Sequence, residues 1–114
     1  MTIRDEIRTL TQKLLQSTVE ASLVEAVCVG TEQLLRQQLR SGLTPDDCRD
    51  VFVLSAALLS LACLNHAASE GLEQFQAGTV RLVFDRSGDR LSEMARELIA
   101  PFCRSSTAFV GVRT

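Results

Sequence analysis

The hydrophobic and polar positions of this chain repeat with a helical period over most of its length, and one segment is apolar on every side. Residues 51–64, VFVLSAALLSLACL, carry no charge, and only Ser55 and Ser60 interrupt them. A helix without a polar stripe has to be buried all round. The pattern therefore predicts a central core helix over about 44–70, with the rest of the chain packed around it.

The residues in front of this segment have the features of a helix start. In TPDD at 44–47, the threonine suits an N-cap, the proline suits the first helical position, and the two aspartates suit the free amides of the first turn. Gly71 supplies the predicted C-terminal stop. A membrane span is the competing interpretation, but it needs roughly 20 strongly apolar residues. The run instead ends at Asn65 and His66, so we expect no membrane insertion.

Two amphipathic helices are predicted before the central one. The first has a narrow apolar seam formed by Ile3, Ile7, Leu10 and Leu14. The second should begin at Ser17, whose capping box pairs it with Glu20, and should run to about Arg40 and stop at Gly42. One apolar face of this second helix contains Val19, Leu23, Ala26, Val27, Gly30 and Leu34, and a second contains Ala21, Val24, Cys28, Leu35 and Leu39.

These two apolar faces leave a narrow polar strip on the second helix, made of Glu25, Glu32, Arg36 and Arg40. One face can meet the central helix. The other must meet another helix of the same chain or a neighbouring subunit, and both alternatives remain open, because a large exposed apolar patch is unusual in a monomer.

After residue 71 the period changes from helical to alternating. Val80, Leu82 and Phe84 would share one side of a strand, so the pattern predicts a β-hairpin over about 72–85. An apolar stripe over 91–99 predicts a fourth helix, which Pro101 should end. The tail AFVGVRT predicts a short extended segment. The fold class is therefore mainly α: a four-helix domain around a central buried helix, with a small β-hairpin and a C-terminal extended segment.

Composition places the chain among ordinary globular proteins. Its 114 residues suit a single domain, 1–114, and 23% of them are charged with a formal net charge of −2. Scattered basic residues give no reason to expect sequence-specific nucleic-acid binding. Four widely spaced cysteines without a C-x-x-C motif, and an N-terminus without an apolar signal region, predict reduced thiols and a cytoplasmic location.

The search for chemistry yields one weak candidate. Cys63 and His66 lie three residues apart on one helical face, and Glu70 follows at i+4, which would suit a metal or small-molecule site. Structural zinc sites need four ligands and catalytic ones usually three. Cys63 also lies in an apolar run that disfavours a reactive thiolate. We therefore expect no catalytic residues, no cofactor and no metal, and we keep this site as an alternative.

The order of segments resembles a known family. LTPDDCRDVFVLSAALLSLACLN, then FQAGTVRLVF, then LIAPFC and the tail AFVGVRT are similar to small head-tail connector, or head-completion, proteins of tailed bacteriophages and prophages. The resemblance covers 42–114. It implies a mostly helical, non-enzymatic subunit that forms a homo-oligomeric ring between the portal and the tail. It also implies a cytoplasmic protein of the bacterial host that becomes a virion component if the prophage is active.

A connector needs contact surfaces, and three parts of the chain are predicted to supply them: the second face of helix two, the hairpin and the tail. The candidate interface residues are Val24, Cys28, Leu35, Leu39, Val80, Leu82, Phe109 and Val112. The expected partners are further copies of the chain and the portal and tail-completion proteins. A protein–protein adaptor is the remaining alternative, and sequence alone does not separate it from a connector.

Overall fold

Five α-helices make up most of the part of the chain that the computed structural model describes, which is residues 2–15, 19–70, 77–85 and 89–103. They are α1 Ile3–Leu14, α2 Ala21–Gln38, α3 Arg49–Glu70, α4 Ala77–Asp85 and α5 Arg90–Ile99. Two short 3₁₀ helices, Pro45–Cys48 and Ala100–Phe102, precede α3 and follow α5. The mainly helical class predicted from the sequence is confirmed.

The central position belongs to α3, which packs against all four other α-helices. Phe52, Leu59 and Cys63 are completely buried there, together with Ser55 and Ser60. The predicted core helix is therefore confirmed. By length and composition Pro45–Ala68 would also suit a membrane span, but a core helix passes the same test, and 67% of its most apolar window is buried inside the fold.

The start of this central element follows the predicted cap chemistry. The Thr44 amide donates to Asp47 Oδ2 at 2.8 Å, and the Thr44 hydroxyl donates to the same oxygen at 3.1 Å. Pro45 opens the short 3₁₀ turn that continues directly into α3. Because both interactions are local in sequence, residue type alone was enough to predict this start.

The bounds of α2 differ from the prediction at both ends. The helix begins at Ala21 with Glu20 as its N-cap residue, and the predicted cap at Ser17 lies outside the described residues. It ends at Gln38, because Leu39 becomes extended and forms an isolated antiparallel bridge with Cys103. Gly42 lies in the turn that follows, with φ +91°, a conformation that favours glycine.

The β-hairpin predicted over about 72–85 is wrong where the structure describes it, because residues 77–85 form α4. Val80, Val83 and Phe84 are buried at i, i+3 and i+4, whereas Leu82 is 59% exposed. The segment is apolar at both the strand and the helix period, and packing against α2, α3 and α5 selects the helix. Residues 72–76 lie outside the described part of the chain.

The fourth predicted helix is present as α5. Asp89 caps it by accepting from the Ser92 amide at 3.2 Å, and Ala95 and Ile99 turn into the core. Pro101 lies in the 3₁₀ turn beyond its end. The Arg40 amide donates to the Phe102 carbonyl at 2.9 Å, so this end of the described chain is held against the end of α2. The predicted extended tail lies outside the described residues.

Candidate functional site

Most of the candidate interface residues lie inside the subunit. Five of them are almost completely buried within the chain's own core: Val24, Cys28, Leu35, Leu39 and Val80. Within the subunit, α2 packs against α1, α3 and α4, which cover most of both apolar faces, although Ala21 and Ala26 stay exposed. Of the two alternatives left open by the sequence, the described packing accounts for these five residues inside the chain. Leu82 lies on the surface, and Phe109 and Val112 fall outside the described residues.

A close approach between α2 and α4 covers part of the first apolar face of α2, the face that contains Gly30. A Cβ atom placed on Gly30 would lie 3.0 Å from Cγ2 of Val80, tighter than ordinary van der Waals contact. The absence of a side chain at Gly30 therefore lets Val80 pack onto the α2 backbone. This contact depends on α4 being a helix at this position, which the alternating sequence pattern did not suggest.

The alternative site around Cys63 is only partly assembled. Cys63 is completely buried, and this burial raises the pKa of its thiol far above the ordinary value. His66 is half-buried one turn later, and the side chain of Glu70 lies outside the described residues. Among the residues that the structure describes, no group of three or more His, Cys, Asp and Glu side chains is arranged to hold a metal ion.

A chain of buried polar groups crosses three helices near the centre of the fold. The Thr31 hydroxyl lies 2.8 Å from the Ser60 hydroxyl and donates to the Cys28 carbonyl at 3.1 Å. The Cys28 thiol lies 3.8 Å from the Thr11 hydroxyl. Burial raises the pKa of Cys28, so the thiol stays protonated and acts as a donor within this network. The network links α1, α2 and α3, and we assign it a structural role.

The arrangement that sequence reasoning missed is centred on Glu32. We predicted Glu32 on a polar strip, but its side chain is only 5% exposed. Its two carboxylate oxygens each accept from a different arginine: Oε1 from Arg4 Nε at 2.7 Å and Oε2 from Arg36 Nε at 3.0 Å. The spacing of Glu32 and Arg36 at i,i+4 was visible in the sequence. The partner from α1 was not.

The Glu32 cluster, defined as Arg4, Glu32 and Arg36, lines a surface pocket of about 230 Å³ together with Thr2 and Ile3. The two arginine side chains are 47% and 50% exposed, so they cover the carboxylate and face solvent themselves. Two guanidinium groups and one carboxylate give the cluster a net charge of +1. The cluster therefore places charged groups in a concave surface of the described chain.

A second charged contact also joins separate helices. Arg49, at the start of α3, donates from Nε to Glu6 Oε2 at 3.1 Å, and its Nη1 donates to Asp46 at 2.7 Å. The hydrogen bond from Arg49 lowers the pKa of Glu6. Both acidic partners reach solvent, so this contact serves as a surface clasp between α1 and α3.

Comparison of the chain with models of protein families, with curated proteins and with solved structures returned no match. The functional assignment therefore depends on the residues and geometry described above.

Proposed function

We propose that this chain is a structural assembly protein, a head-tail connector subunit of a tailed phage or prophage that forms a ring between portal and tail. The order of segments from 42 to 114 supports the proposal, as does the mainly helical structure of the described residues. The segment FQAGTVRLVF no longer supports it as a hairpin, since 77–85 are helical. This segment supports the proposal through the exposed side of α4, where Leu82 lies.

The exposed Leu82 is the observation on which the proposal depends most. Its neighbours Val80, Val83 and Phe84 are buried and hold α4 against the core, so Leu82 projects from a firmly packed helix. Covering a leucine side chain is worth about 1.5–3 kcal/mol when it is fully buried. A leucine on the outside of α4 is therefore suited to a contact between subunits, and it belongs to the interface predicted from the sequence.

Ring assembly of this kind uses heterologous contacts, in which one surface of a subunit meets a different surface of the next. Leu82 supplies one of these surfaces. We place the other on the segment 105–114, whose apolar residues include Phe109 and Val112. The portal and tail-completion proteins are the proposed further partners. The proposed location is the cytoplasm of the bacterial host, and the virion if the prophage is active.

Sedimentation across a concentration range, with and without the portal protein encoded in the same genome, tests this proposal. We expect Leu82→Gln to lower the fraction of assembled species at least severalfold while the helical circular dichroism is retained. Leu14→Gln is the matched control, because Leu14 is also an exposed leucine on a helix, at 41% exposure. Equal assembly of the wild type and Leu82→Gln would contradict a role for α4.

Removal of 105–114 tests the second surface separately. We expect this deletion to weaken assembly and to leave the helical signal nearly unchanged. Loss of folding would show instead that the tail belongs to the core. Gene neighbourhood provides an independent check, because a connector gene should lie beside portal, capsid and tail genes.

A further inference from the structure

The Glu32 cluster holds two arginines in an arrangement that leaves most of their hydrogen-bond donors unused. An arginine has five N–H donors, one on Nε and four on the two Nη atoms. Arg4 and Arg36 each use Nε to bind the buried carboxylate. Within the described part of the chain, the Nη atoms of both residues have no hydrogen-bond partner. The cluster therefore presents up to eight unused donors beside one pocket.

The position of the two guanidinium groups is determined by a rigid element. Glu32 is buried on α2, and its two oxygens anchor one arginine from α1 and one from α2. A guanidinium bound in this way keeps less rotational freedom than a lone surface arginine, so less entropy is lost when a ligand binds. The carboxylate compensates only one of the two positive charges.

The first turn of α1 lies beside the same pocket. Ile3 and Arg4 are the first two residues of this 12-residue helix, so their amides have no carbonyl partner within it. The Thr2 hydroxyl, at the N-cap, accepts from the Asp5 amide at 3.1 Å, and neither the Ile3 nor the Arg4 amide has a partner among the described residues. Ile3 and Arg4 both line the pocket. A helix N-terminus favours negative charge.

We propose that this pocket binds the phosphate group of a small molecule between Arg4 and Arg36. A carboxylate has two oxygens, which one guanidinium satisfies with two parallel hydrogen bonds. Two guanidinium groups from different helices together with amide donors instead suit a tetrahedral anion with three or four oxygens. The cluster's net charge of +1 favours an anion. A pocket of about 230 Å³ leaves room for a small organic group attached to the phosphate.

The experiment is an NMR titration of the full chain with inorganic phosphate, with ¹H–¹⁵N spectra that include the arginine Nε–Hε groups. We expect saturating shifts at the Nε–Hε signals of Arg4 and Arg36 and at the amide of Ile3. Sulfate, which has the same shape, should produce the same pattern. Sodium acetate, a carboxylate, should bind at least tenfold more weakly, and sodium chloride at equal ionic strength should cause no saturating shift.

Two variants make the result specific. Arg36→Gln should weaken phosphate binding by at least about tenfold, or 1.4 kcal/mol, and it should keep the fold because Arg4 still pairs with Glu32. Arg90→Gln is the matched control, since it removes an exposed arginine at the start of another helix, and it should bind phosphate like the wild type. Absence of saturation in the wild type, acetate binding as tight as phosphate, or equal affinity in Arg36→Gln would overturn the proposal.

Discussion

At the scale of single residues, the same side chain has opposite consequences at two positions of α3. Ser55 and Ser60 are both completely buried on this helix. Ser60 shares a 2.8 Å hydrogen bond with Thr31, whereas the hydroxyl of Ser55 has no hydrogen-bond partner among the described residues. A buried hydroxyl without a partner costs free energy, and a paired one contributes. Sequence alone treats the two serines alike.

Replacing each serine by alanine separates these two roles. We expect Ser60→Ala to lower the free energy of unfolding by about 1 kcal/mol, because a buried hydrogen bond is lost. Ser55→Ala should be neutral or should raise it by up to about 1 kcal/mol, because an uncompensated hydroxyl is removed. Urea denaturation followed by circular dichroism measures both values. A loss of more than about 1 kcal/mol in Ser55→Ala would show that its hydroxyl is bonded in the folded protein.

At the scale of elements, the contact between α2 and α4 depends on Gly30. Glycine inside a helix is less favourable than alanine by about 1 kcal/mol. A Cβ atom at this position would lie only 3.0 Å from Val80 Cγ2. Glycine avoids this close contact, which offsets its lower helix propensity. The side chain missing from α2 is therefore the feature that lets α4 pack closely.

A double-mutant cycle tests this contact. We expect Gly30→Ala to destabilise the wild type by about 1 kcal/mol, since the added methyl group pushes against Val80. In a Val80→Ala background the same substitution should stabilise by up to about 1 kcal/mol, because the helix propensity of alanine is no longer opposed. Thermal and urea unfolding of the four proteins give the coupling energy. A coupling near zero would show that α4 does not pack against Gly30.

The clasp between α1 and α3 predicts a pH dependence. Hydrogen bonds from Arg49 lower the pKa of Glu6 in the folded protein, relative to an ordinary value of about 4.3. The ion pair between Glu6 and Arg49 therefore contributes its full stability above the pKa that Glu6 has in the unfolded chain. This contribution is lost as the pH falls through the lower pKa that Glu6 has in the folded protein. The affected window lies at and below about pH 4.3.

We expect Glu6→Gln to be less stable than the wild type at pH 7, and we expect this difference to shrink as the pH is lowered below about 4. Urea unfolding at a series of pH values measures it. Glu97→Gln provides the control, because it removes an exposed carboxylate that has no ion pair in the described part of the chain. A difference between Glu6→Gln and the wild type that stays constant down to pH 2 would contradict the assigned role of the ion pair.

At the scale of the whole molecule, the reactivity of the four cysteine thiols measures how readily the core unfolds. Cys28, Cys48 and Cys63 are buried, whereas Cys103 at the end of the described chain is half-buried. Burial raises the pKa of all four thiols, which slows their reaction further. Cys63 lies on the central helix, so its exposure requires the surrounding helices to separate.

Native-state thiol titration at pH 8 therefore has a defined expected order. Cys103 should react first, and Cys28 and Cys63 should react only at the rate of global unfolding, with all four thiols reacting in denaturant. In Cys103→Ser the fast phase should disappear. Fast labelling of Cys63 in the native protein would mean that α3 is not the stable centre of the fold, and mass spectrometry of the labelled peptides identifies the site.

The sequence by itself determined the helical class, the central helix and the chemistry of its start. An apolar run without a polar stripe has to be buried on all sides, and the TPDD cap depends only on neighbouring residues. The segment order also supplied the hypothesis of a connector, which stays a prediction. These conclusions depend on contacts between residues close together in the sequence, or on burial that does not depend on which helix packs against the segment.

Tertiary structure alone decided three other features: the helical state of 77–85, the cover of most of both apolar faces of α2, and the burial of Glu32. An alternating apolar segment of this length satisfies either period, and its helical contacts with α2, α3 and α5 make the choice. Glu32 can be buried because Arg4, from another helix, donates a hydrogen bond to one of its two carboxylate oxygens. Such long-range pairings are not encoded in local periodicity, and so they become visible only when the helices are packed together.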